Sequence, residues 1–264
     1  MKYSECLACA KRPRRGFEEP TENLMHTDRA VPLIALLALG LLVSCSEDPI
    51  DPSEPLTARV DFSTGQHGWT AGFSDYPAAD EAIYHLQSDY RTLPAPLDTS
   101  QRALFISGVN RSDDLFMYWK GQIVGLPPGT RYRASFEVEF ATNAQSGCFG
   151  VGGSPGESVW IKAGATDIEP ESVLVDGFYL MNIDKGNQST SGENAVVLGD
   201  VASSQPCGPE AEAQWELKQL FGTETVEVTS DSDGRVWLLV GSDSGFESLT
   251  SLYYTRVLAT FEPI

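Results

Sequence analysis

From Leu56 to the end of the chain, apolar and polar residues alternate over short stretches that are separated by glycine, proline, aspartate and asparagine. In residues 131–140, every even-numbered residue is apolar and every odd-numbered residue is polar or charged. A period of two predicts a strand with one buried and one solvated face. Comparable patterns predict strands at 102–109, 114–124, 157–163, 178–183, 213–221, 223–228, 235–240 and 252–261. More than eight strands at this spacing predict an all-β, two-sheet β-sandwich.

Two of these segments resemble a known family. Residues 125–136, GLPPGTRYRASF, resemble the L-x-P-G-T-x-Y-x-x-S-F strand of jelly-roll carbohydrate-binding modules and related galactose-binding-like sandwiches. Residues 252–257, LYYTRV, are similar to the closing strand of that family, although Thr255 and Arg256 stand where it often carries an acidic pair. The resemblance implies a jelly-roll domain over residues 56–264, and it implies non-catalytic carbohydrate binding.

A different pattern marks the N-terminal part of the chain. Residues 30–43 form an uncharged apolar run that is shorter than the ~20 residues of a transmembrane helix but suits the core of a signal peptide. The sequence Leu42-Val43-Ser44-Cys45, at the end of this run, resembles the lipobox of bacterial lipoproteins. The resemblance implies removal of residues 1–44 and lipidation of Cys45; the alternative is an ordinary signal peptide with a coincidental cysteine. Met25 begins a normal-looking signal peptide and is an alternative start of translation.

The segment after Cys45 is acidic and rich in proline. Residues 46–55, SEDPIDPSEP, hold three prolines and four acidic residues. Such a composition cannot pack into a core, so residues 45–55 are predicted to be an extended tether. Acidic residues after the lipidated cysteine also resemble the export signals of surface lipoproteins in Bacteroidota. The predicted location is therefore the cell envelope, lipid-anchored at the outer membrane, with surface exposure left open.

The net charge of the chain limits the kinds of partner that it can bind. The formal net charge of the 264-residue sequence is −19, and such a surface repels phosphate backbones, so we predict no nucleic-acid partner. The remaining partners are the lipid bilayer, through acylated Cys45, and a glycan or an envelope protein.

Cys148 and Cys207 are an even pair in an oxidising compartment, and we predict that they form a disulfide. A metal site from these cysteines and a histidine lacks the usual ligand spacing.

Aromatic side chains are the candidate ligand-binding residues, because sugar rings stack on flat aromatic faces. The wider set of candidates is Trp69, Tyr76, Tyr118, Trp119, Trp160, Trp215 and Trp237. We assign ligand binding to Trp69, Tyr76, Trp119 and Trp160. Trp69 and Tyr76 lie in glycine- and proline-rich loop sequence, where sandwich domains often bind ligands. The alternative for each of these residues is a place in the core.

Calcium is the one cofactor that the sequence suggests. Asp184 and Asn187 lie in a short stretch of side-chain oxygens with a glycine, and hard cations prefer such ligands. Structural calcium is also common in the jelly-roll modules that the chain resembles. The stretch does not match the twelve-residue calcium loop, and turn formation by Asp and Asn explains it equally well.

Three functions remain open on the sequence. The first is a membrane-anchored lipoprotein that binds carbohydrate without catalysis. The second is a structural or adhesive envelope protein that acts through protein contacts. The third is a polysaccharide-cleaving enzyme that uses a carboxylate pair, as glycosidases do. Only two histidines follow the predicted signal peptide, which disfavours a Ser-His-Asp hydrolase, and no catalytic residue is assigned.

Overall fold

The structure is a computed structural model that describes residues 54–264. The predicted signal peptide, Cys45 and most of the predicted tether lie outside the described residues. Within residues 54–264, no helix is long and apolar enough to cross a membrane. Short 3-10 helices lie at Ala78–Tyr84 and Glu210–Glu212. The strands are β1 Leu56–Asp61, β2 Thr70–Ser74, β3 Tyr76–Pro77, β4 Gln87–Thr92, β5 Arg102–Val109, β6 Leu115–Val124, β7 Arg131–Thr142, β8 Val159–Thr166, β9 Ser172–Val175, β10 Phe178–Met181, β11 Ala195–Asp200, β12 Glu216–Phe221, β13 Val226–Thr229, β14 Arg235–Ser244 and β15 Leu249–Pro263.

Two antiparallel sheets form the sandwich. The first sheet has seven strands in the order β12-β7-β15-β5-β4, with β1 paired to β15 and β13 paired to β7. The second sheet has five strands in the order β11-β8-β14-β6-β2. Consecutive strands β5 to β8 alternate between the two sheets, as do β14 and β15, which is the connectivity of a jelly roll. The predicted all-β, two-sheet sandwich is thus confirmed.

The core lies between the two sheets because each strand turns its apolar residues to the same side. The even-numbered residues of β7, from Tyr132 to Phe140, are all buried. In β6, Leu115, Met117 and Trp119 enter this main core, whereas Phe116 and Tyr118 pack on the opposite face of the second sheet. Burial of large apolar side chains contributes roughly 1.5–3 kcal/mol each relative to exposure.

A small third sheet, which the sequence analysis did not predict, covers part of the outer face of the second sheet. It joins three short strands in the order β3-β10-β9. Met181 of β10 packs with Phe116 and Tyr118, so this sheet closes a second, smaller apolar cluster. The cluster explains why β6 has apolar residues on both faces.

Most predicted strands are confirmed, and the errors concern ends and edges. The strand predicted at 102–109 matches β5 at both ends, and that at 114–124 differs from β6 by one residue. Edge strands such as β4, QSDYRT, escaped prediction because an edge strand needs few apolar residues. A tight turn at residues 231–234 precedes β14: Asp231 Oδ1 accepts the backbone N–H of Asp233 and of Arg235, both at 2.8 Å, and Gly234 adopts φ +71°.

The predicted disulfide is also confirmed. Cys148 and Cys207 are bonded, with their Cα atoms 5.0 Å apart. Next to the bond, the backbone N–H of Ser146 donates to the carbonyl of Gln205 at 2.8 Å. The disulfide therefore joins the loop after β7 to the loop after β11 and fixes the two loops at one end of the sandwich.

Candidate ligand-binding cleft

A cleft of about 490 Å³ opens beside the disulfide. Its walls come from three segments that are distant in the sequence, at 142–149, 208–215 and 246–252, and from Pro155 and Val201. The end of β7 supplies Thr142, whose hydroxyl donates to the carbonyl of Val201 at 2.8 Å. The backbone N–H of Gly208 donates to Gln145 Oε1 at 3.2 Å, which holds the disulfide loop against the wall. The cleft is thus a product of rigid loops at the sheet edge.

Three aromatic side chains line this cleft. Phe149 is fully exposed (101%), while Trp215 and Phe246 are half-buried. Phe246 lies against Gly150, where an added Cβ would come within 2.3 Å of the ring, so the glycine allows this close approach. Trp215 packs edge-on against Tyr253, with ring centroids 5.1 Å apart. Trp215 and Phe246 are therefore supported by neighbouring residues, and Phe149 leaves its whole ring exposed to solvent.

Polar side chains share the cleft with the aromatic rings. Asn143, Ser248 and Glu210 line it, together with the buried Thr250 and the half-buried Ser251. Binding sites for small molecules combine apolar walls with a few hydrogen-bonding groups that fix orientation. This arrangement suits a ligand with both C–H faces and hydroxyl groups.

A second polar site lies on the outer face of the second sheet, beneath the loop 184–194. We call it the Asp–Lys cluster; it consists of Asp75, Asp114, Asp243, Lys162 and Lys185. Lys185 Nζ lies 2.8 Å from Asp243 Oδ2 and 3.0 Å from Asp75 Oδ2, and Lys162 Nζ lies 3.0 Å from Asp243 Oδ2. Lys162 and Asp243 are fully buried. Oxygens of the three carboxylates all come within 4.8 Å of one another.

The loop 184–194 is held down by this cluster. Lys162 Nζ donates to the carbonyl of Lys185 at 2.8 Å and to that of Thr190 at 2.9 Å. The backbone N–H of Gln188 donates to Asp243 Oδ2 at 2.9 Å. The cluster therefore anchors the loop, because its charges hydrogen-bond to the loop backbone.

Two carboxylates of the cluster share an unusual environment. Asp114 Oδ1 and Asp243 Oδ1 are buried, and neither has a hydrogen-bond partner among residues 54–264. Burial and the neighbouring charge of Asp243 raise the pKa of Asp114 to about 8. Burial opposes ionisation of Asp243 as well, but Lys185 and Lys162 hold its pKa below the ordinary value. These opposite shifts favour a protonated Asp114 beside an ionised Asp243 at neutral pH.

The structure buries three of the four predicted ligand-binding aromatics. Trp69 and Trp119 are each 2% exposed, and Tyr76 is 5% exposed. Trp69 packs edge-on against Phe62, at 5.2 Å between ring centroids, inside the main core. A sugar cannot stack on a ring without an exposed face, so a binding role for these three does not fit their burial. Trp160 is half-buried on the outer face of the second sheet and does not line the cleft.

The predicted calcium ligands do not converge on one point. The two carboxylate oxygens of Asp184 accept backbone N–H groups, from Gly186 at 2.9 Å and from Glu193 at 3.0 Å. These hydrogen bonds lower the pKa of Asp184. Asn187 turns its side-chain amide toward Asp114 Oδ2, at 3.2 Å. The pair fits the turn explanation better than a calcium site, and calcium binding stays a prediction.

Sequence reasoning missed most of the cleft. Trp215 was in the wider set of aromatic candidates, whereas Phe149 and Phe246 were not. One signal was available: Phe149 directly follows Cys148, and Trp215 lies eight positions after Cys207. The predicted disulfide brings these two stretches together, so aromatic residues close to its two ends were candidates for one site.

The sequence matches no protein-family model and no curated protein. Among solved structures, the chain is similar to the carbohydrate-binding module TmCBM61, determined with β-1,4-galactotriose (10% identity, 75% of this chain, 92% of that chain, TM-score 0.32). It is also similar to the K3 cleaved adhesin domain of Lys-gingipain from Porphyromonas gingivalis (12% identity, 77% of this chain, 98% of that chain, TM-score 0.33). A third similar structure is the family 11 carbohydrate-binding module of the cellulase Lic26A-Cel5E of Clostridium thermocellum (9% identity, 79% of this chain, 95% of that chain, TM-score 0.31). At these scores the similarities identify neither a ligand nor the residues that bind one.

Proposed function

We propose that the protein is a lipoprotein of the cell envelope whose β-sandwich binds carbohydrate without catalysis. The lipobox-like Leu42-Val43-Ser44-Cys45 supports an anchor at Cys45 in the outer membrane. The acidic, proline-rich segment after it would hold the domain away from the bilayer. Radiolabelled palmitate incorporation, lost in Cys45→Ala, tests the anchor.

The observation that carries the binding proposal is the cleft beside the disulfide. It places an exposed ring, Phe149, and the half-buried Trp215 and Phe246 among amide, hydroxyl and carboxylate groups. Sugars present alternating C–H faces and hydroxyl groups, and this mixture of surfaces is complementary to them. A cleft of about 490 Å³ lies in the size range of small-molecule sites.

The placement of the carboxylates supports binding rather than hydrolysis. Glycosidases need two carboxyl groups on either side of the scissile bond. Among the residues that line the cleft, Glu210 is the one acid. Glu137 and Glu139, an adjacent pair on β7, are held by Arg256 at 3.2 and 3.3 Å. Asp243 is fully buried, and its Oδ2 atom is paired with Lys162 and Lys185, so it has no surface to offer a polysaccharide.

A glycan array tests the proposal, with calcium and again with EDTA. We expect specific binding that Trp215→Ala reduces several-fold, since an aromatic contact contributes about 0.5–1.5 kcal/mol beyond the area that it buries. The matched control is Trp160→Ala, a half-buried tryptophan outside the cleft, which we expect to bind like the unmodified protein. Equal binding by both variants would exclude the cleft, and loss of binding in EDTA would bring calcium into the site.

The envelope-contact function is favoured by a separate surface. The β9–β10 hairpin exposes Val173, Val175, Phe178 and Leu180, each between 36% and 46%. Their register pairs Val175 with Phe178 and Val173 with Leu180, so the four side chains share one face. Contiguous exposed apolar residues often mark protein contacts. Crosslinking in intact cells tests this function: a defined protein adduct, lost in Phe178→Asp, would support it, and an uncrosslinked protein would count against it.

A further inference from the structure

The cleft beside the disulfide contains an acidic side chain and no basic one. Glu210 is among its lining residues, whereas no lysine, arginine or histidine of residues 54–264 lines it. The Glu210 side chain is exposed, and within the described residues it forms no salt bridge. Its carboxylate is therefore available to a cationic group on a ligand.

The surroundings of the cleft add negative charge. Glu157 contacts the disulfide loop, where its Oε1 atom accepts the backbone N–H of Gly147 at 2.7 Å. Burial opposes ionisation of Glu157, but hydrogen bonds from Ser154 and Gly147 lower its pKa. Glu212 lies in the same 3-10 helix as Glu210. Together with the net charge of −19, these carboxylates attract cations toward the cleft and repel anions.

The aromatic rings of the cleft have no cationic neighbour either. Within residues 54–264, five rings outside the cleft have a lysine or arginine at cation–π distance, whereas Phe149, Trp215 and Phe246 have none. A cation within about 6 Å of a ring centroid is attracted to the ring face, and tryptophan attracts it most strongly. The cleft thus combines free cation–π acceptors with a free carboxylate.

An ammonium group is the ligand chemistry that uses both features. Its N–H groups donate charge-assisted hydrogen bonds to a carboxylate, and its charge is attracted to aromatic faces. A hydroxyl group can only donate a weaker, neutral hydrogen bond. A carboxylate or sulfate group on the ligand would meet Glu210 with like charge, which opposes binding.

We propose that the cleft recognises the ammonium group of an amino sugar, with Glu210 as the hydrogen-bond acceptor and the aromatic rings as the cation–π walls. The inference rests on the proposed function, because it assigns a ligand class to the same cleft. That class is a glycan with free amino groups, in preference to neutral or acidic glycans.

The exposure of Glu210 limits the size of the preference. Ion pairs at a protein surface are weak because water and salt screen them, so the carboxylate alone gives little selectivity. The rings add to it, since a cation–π contact depends less on a single hydrogen-bond geometry. The preference should therefore be modest in size and should decrease as the salt concentration rises.

The test compares oligosaccharides of one length by isothermal titration, at a mildly acidic pH where sugar amino groups are protonated. A chitosan oligosaccharide carries the ammonium group, a cello-oligosaccharide has a hydroxyl group in its place, and a chitin oligosaccharide has a neutral acetamide. The variant is Glu210→Gln, which removes the charge and keeps the size of the side chain. Glu212→Gln is the matched control, because Glu212 is an exposed acid of the same helix that does not line the cleft.

We expect the unmodified protein to bind the chitosan oligosaccharide at least about fivefold more tightly than either neutral oligosaccharide. Glu210→Gln should remove most of this preference, and Glu212→Gln should retain it. High salt should weaken binding of the chitosan oligosaccharide and leave binding of the neutral ones unchanged. Equal affinities for the three oligosaccharides, or an unchanged preference in Glu210→Gln, would overturn the inference; the latter result would trace the preference to the overall charge.

Trp215→Ala separates failure of this inference from failure of the proposed function. Binding of neutral oligosaccharides that Trp215→Ala weakens, without a preference for chitosan, supports the cleft function and overturns recognition of the ammonium group. Absence of binding to every glycan of the array would remove the proposed function, and the ammonium site with it.

Discussion

The cleft and the Asp–Lys cluster are both polar regions, but they differ in how their polar groups are used. In the Asp–Lys cluster, Asp243 Oδ2 receives Lys162, Lys185 and the backbone N–H of Gln188. In the cleft, aromatic and polar side chains face open space, and Phe149 touches solvent over its whole surface. The first region uses its charges to hold a loop, and the second leaves its groups available to a ligand.

The comparison teaches that density of charge is a poor guide to a binding site. The Asp–Lys cluster contains a carboxyl group with a strongly raised pKa, Asp114, and yet it lies beneath a loop. Perturbed groups do concentrate in functional sites, but structural ion-pair networks perturb them too. Exposed aromatic side chains distinguish the cleft from the Asp–Lys cluster more clearly than perturbed pKa values do.

Asp243→Asn is the change with the largest expected effect. It leaves two buried ammonium groups without a full counter-charge, and breaking a buried ion pair costs about 3–5 kcal/mol. We expect this loss in the free energy of unfolding, measured by urea denaturation. Asp233→Asn, in an exposed pair with Arg235, is the control and should cost at most about 1 kcal/mol. Equal losses in the two variants would remove the structural role of the cluster.

Removal of the disulfide ranks next and affects the cleft. The bond joins residues 59 positions apart, and the chain-entropy model gives about 4 kcal/mol for a loop of this length. The double variant Cys148→Ser/Cys207→Ser should therefore unfold at lower urea concentration and bind glycan more weakly, because its loops lose their fixed position. Full glycan affinity in the folded variant would show that the loop backbone alone shapes the cleft.

Asp114→Asn tests the protonation of the cluster. The pKa of Asp114, raised to about 8 by burial and by Asp243, exceeds the unfolded value of ~3.9, so the folded protein keeps a proton that the unfolded chain releases. Stability from this group is fully present below pH ~4, is lost as the pH rises toward 8, and is constant above it. The asparagine cannot ionise, so its stability relative to the unmodified protein should rise across this window.

We expect that relative gain to reach on the order of 5 kcal/mol by pH 9, because the pKa of Asp114 lies about four units above its unfolded value and each unit corresponds to ~1.4 kcal/mol; urea denaturation at a series of pH values measures it. An asparagine Nδ2 can also donate to Asp243 Oδ1, which has no partner in the described residues. Asp113→Asn, an exposed neighbour, is the control. A pH-independent difference between Asp114→Asn and the unmodified protein would contradict a proton held at Asp114.

Phe149→Ala is expected to change stability least. Its ring is fully exposed, and such substitutions usually change the free energy of unfolding by less than about 0.5 kcal/mol. Glycan affinity should nevertheless fall several-fold, because the ring forms part of the cleft. Phe221→Ala, 62% exposed on β12 and outside the cleft, is the control and should leave affinity unchanged. Identical affinities for the two variants would remove Phe149 from the site.

The fold was largely predictable, and the site was not. Alternation in residues 131–140 determines which face of β7 is buried, because the side-chain period of a strand is two. The same rule leaves Trp69 undecided, since it lies in loop sequence with no period to follow. Its burial depends on Gly121, a distant glycine where an added Cβ would come within 2.3 Å of the Trp69 ring. A contact between residues so far apart in the chain cannot be predicted from the sequence around either of them.

The sequence by itself determined most of the long strands, their buried faces and the cysteine pair, because each depends on local periodicity or on a small number of candidates. Only the tertiary structure decided which aromatic residues reach solvent and which acids meet. Asp75, Asp114 and Asp243 come from three separate segments, and Phe149, Trp215 and Phe246 from three others. Their proximity depends on strand order and on the disulfide, and these long-range contacts leave no mark on neighbouring residues in the chain.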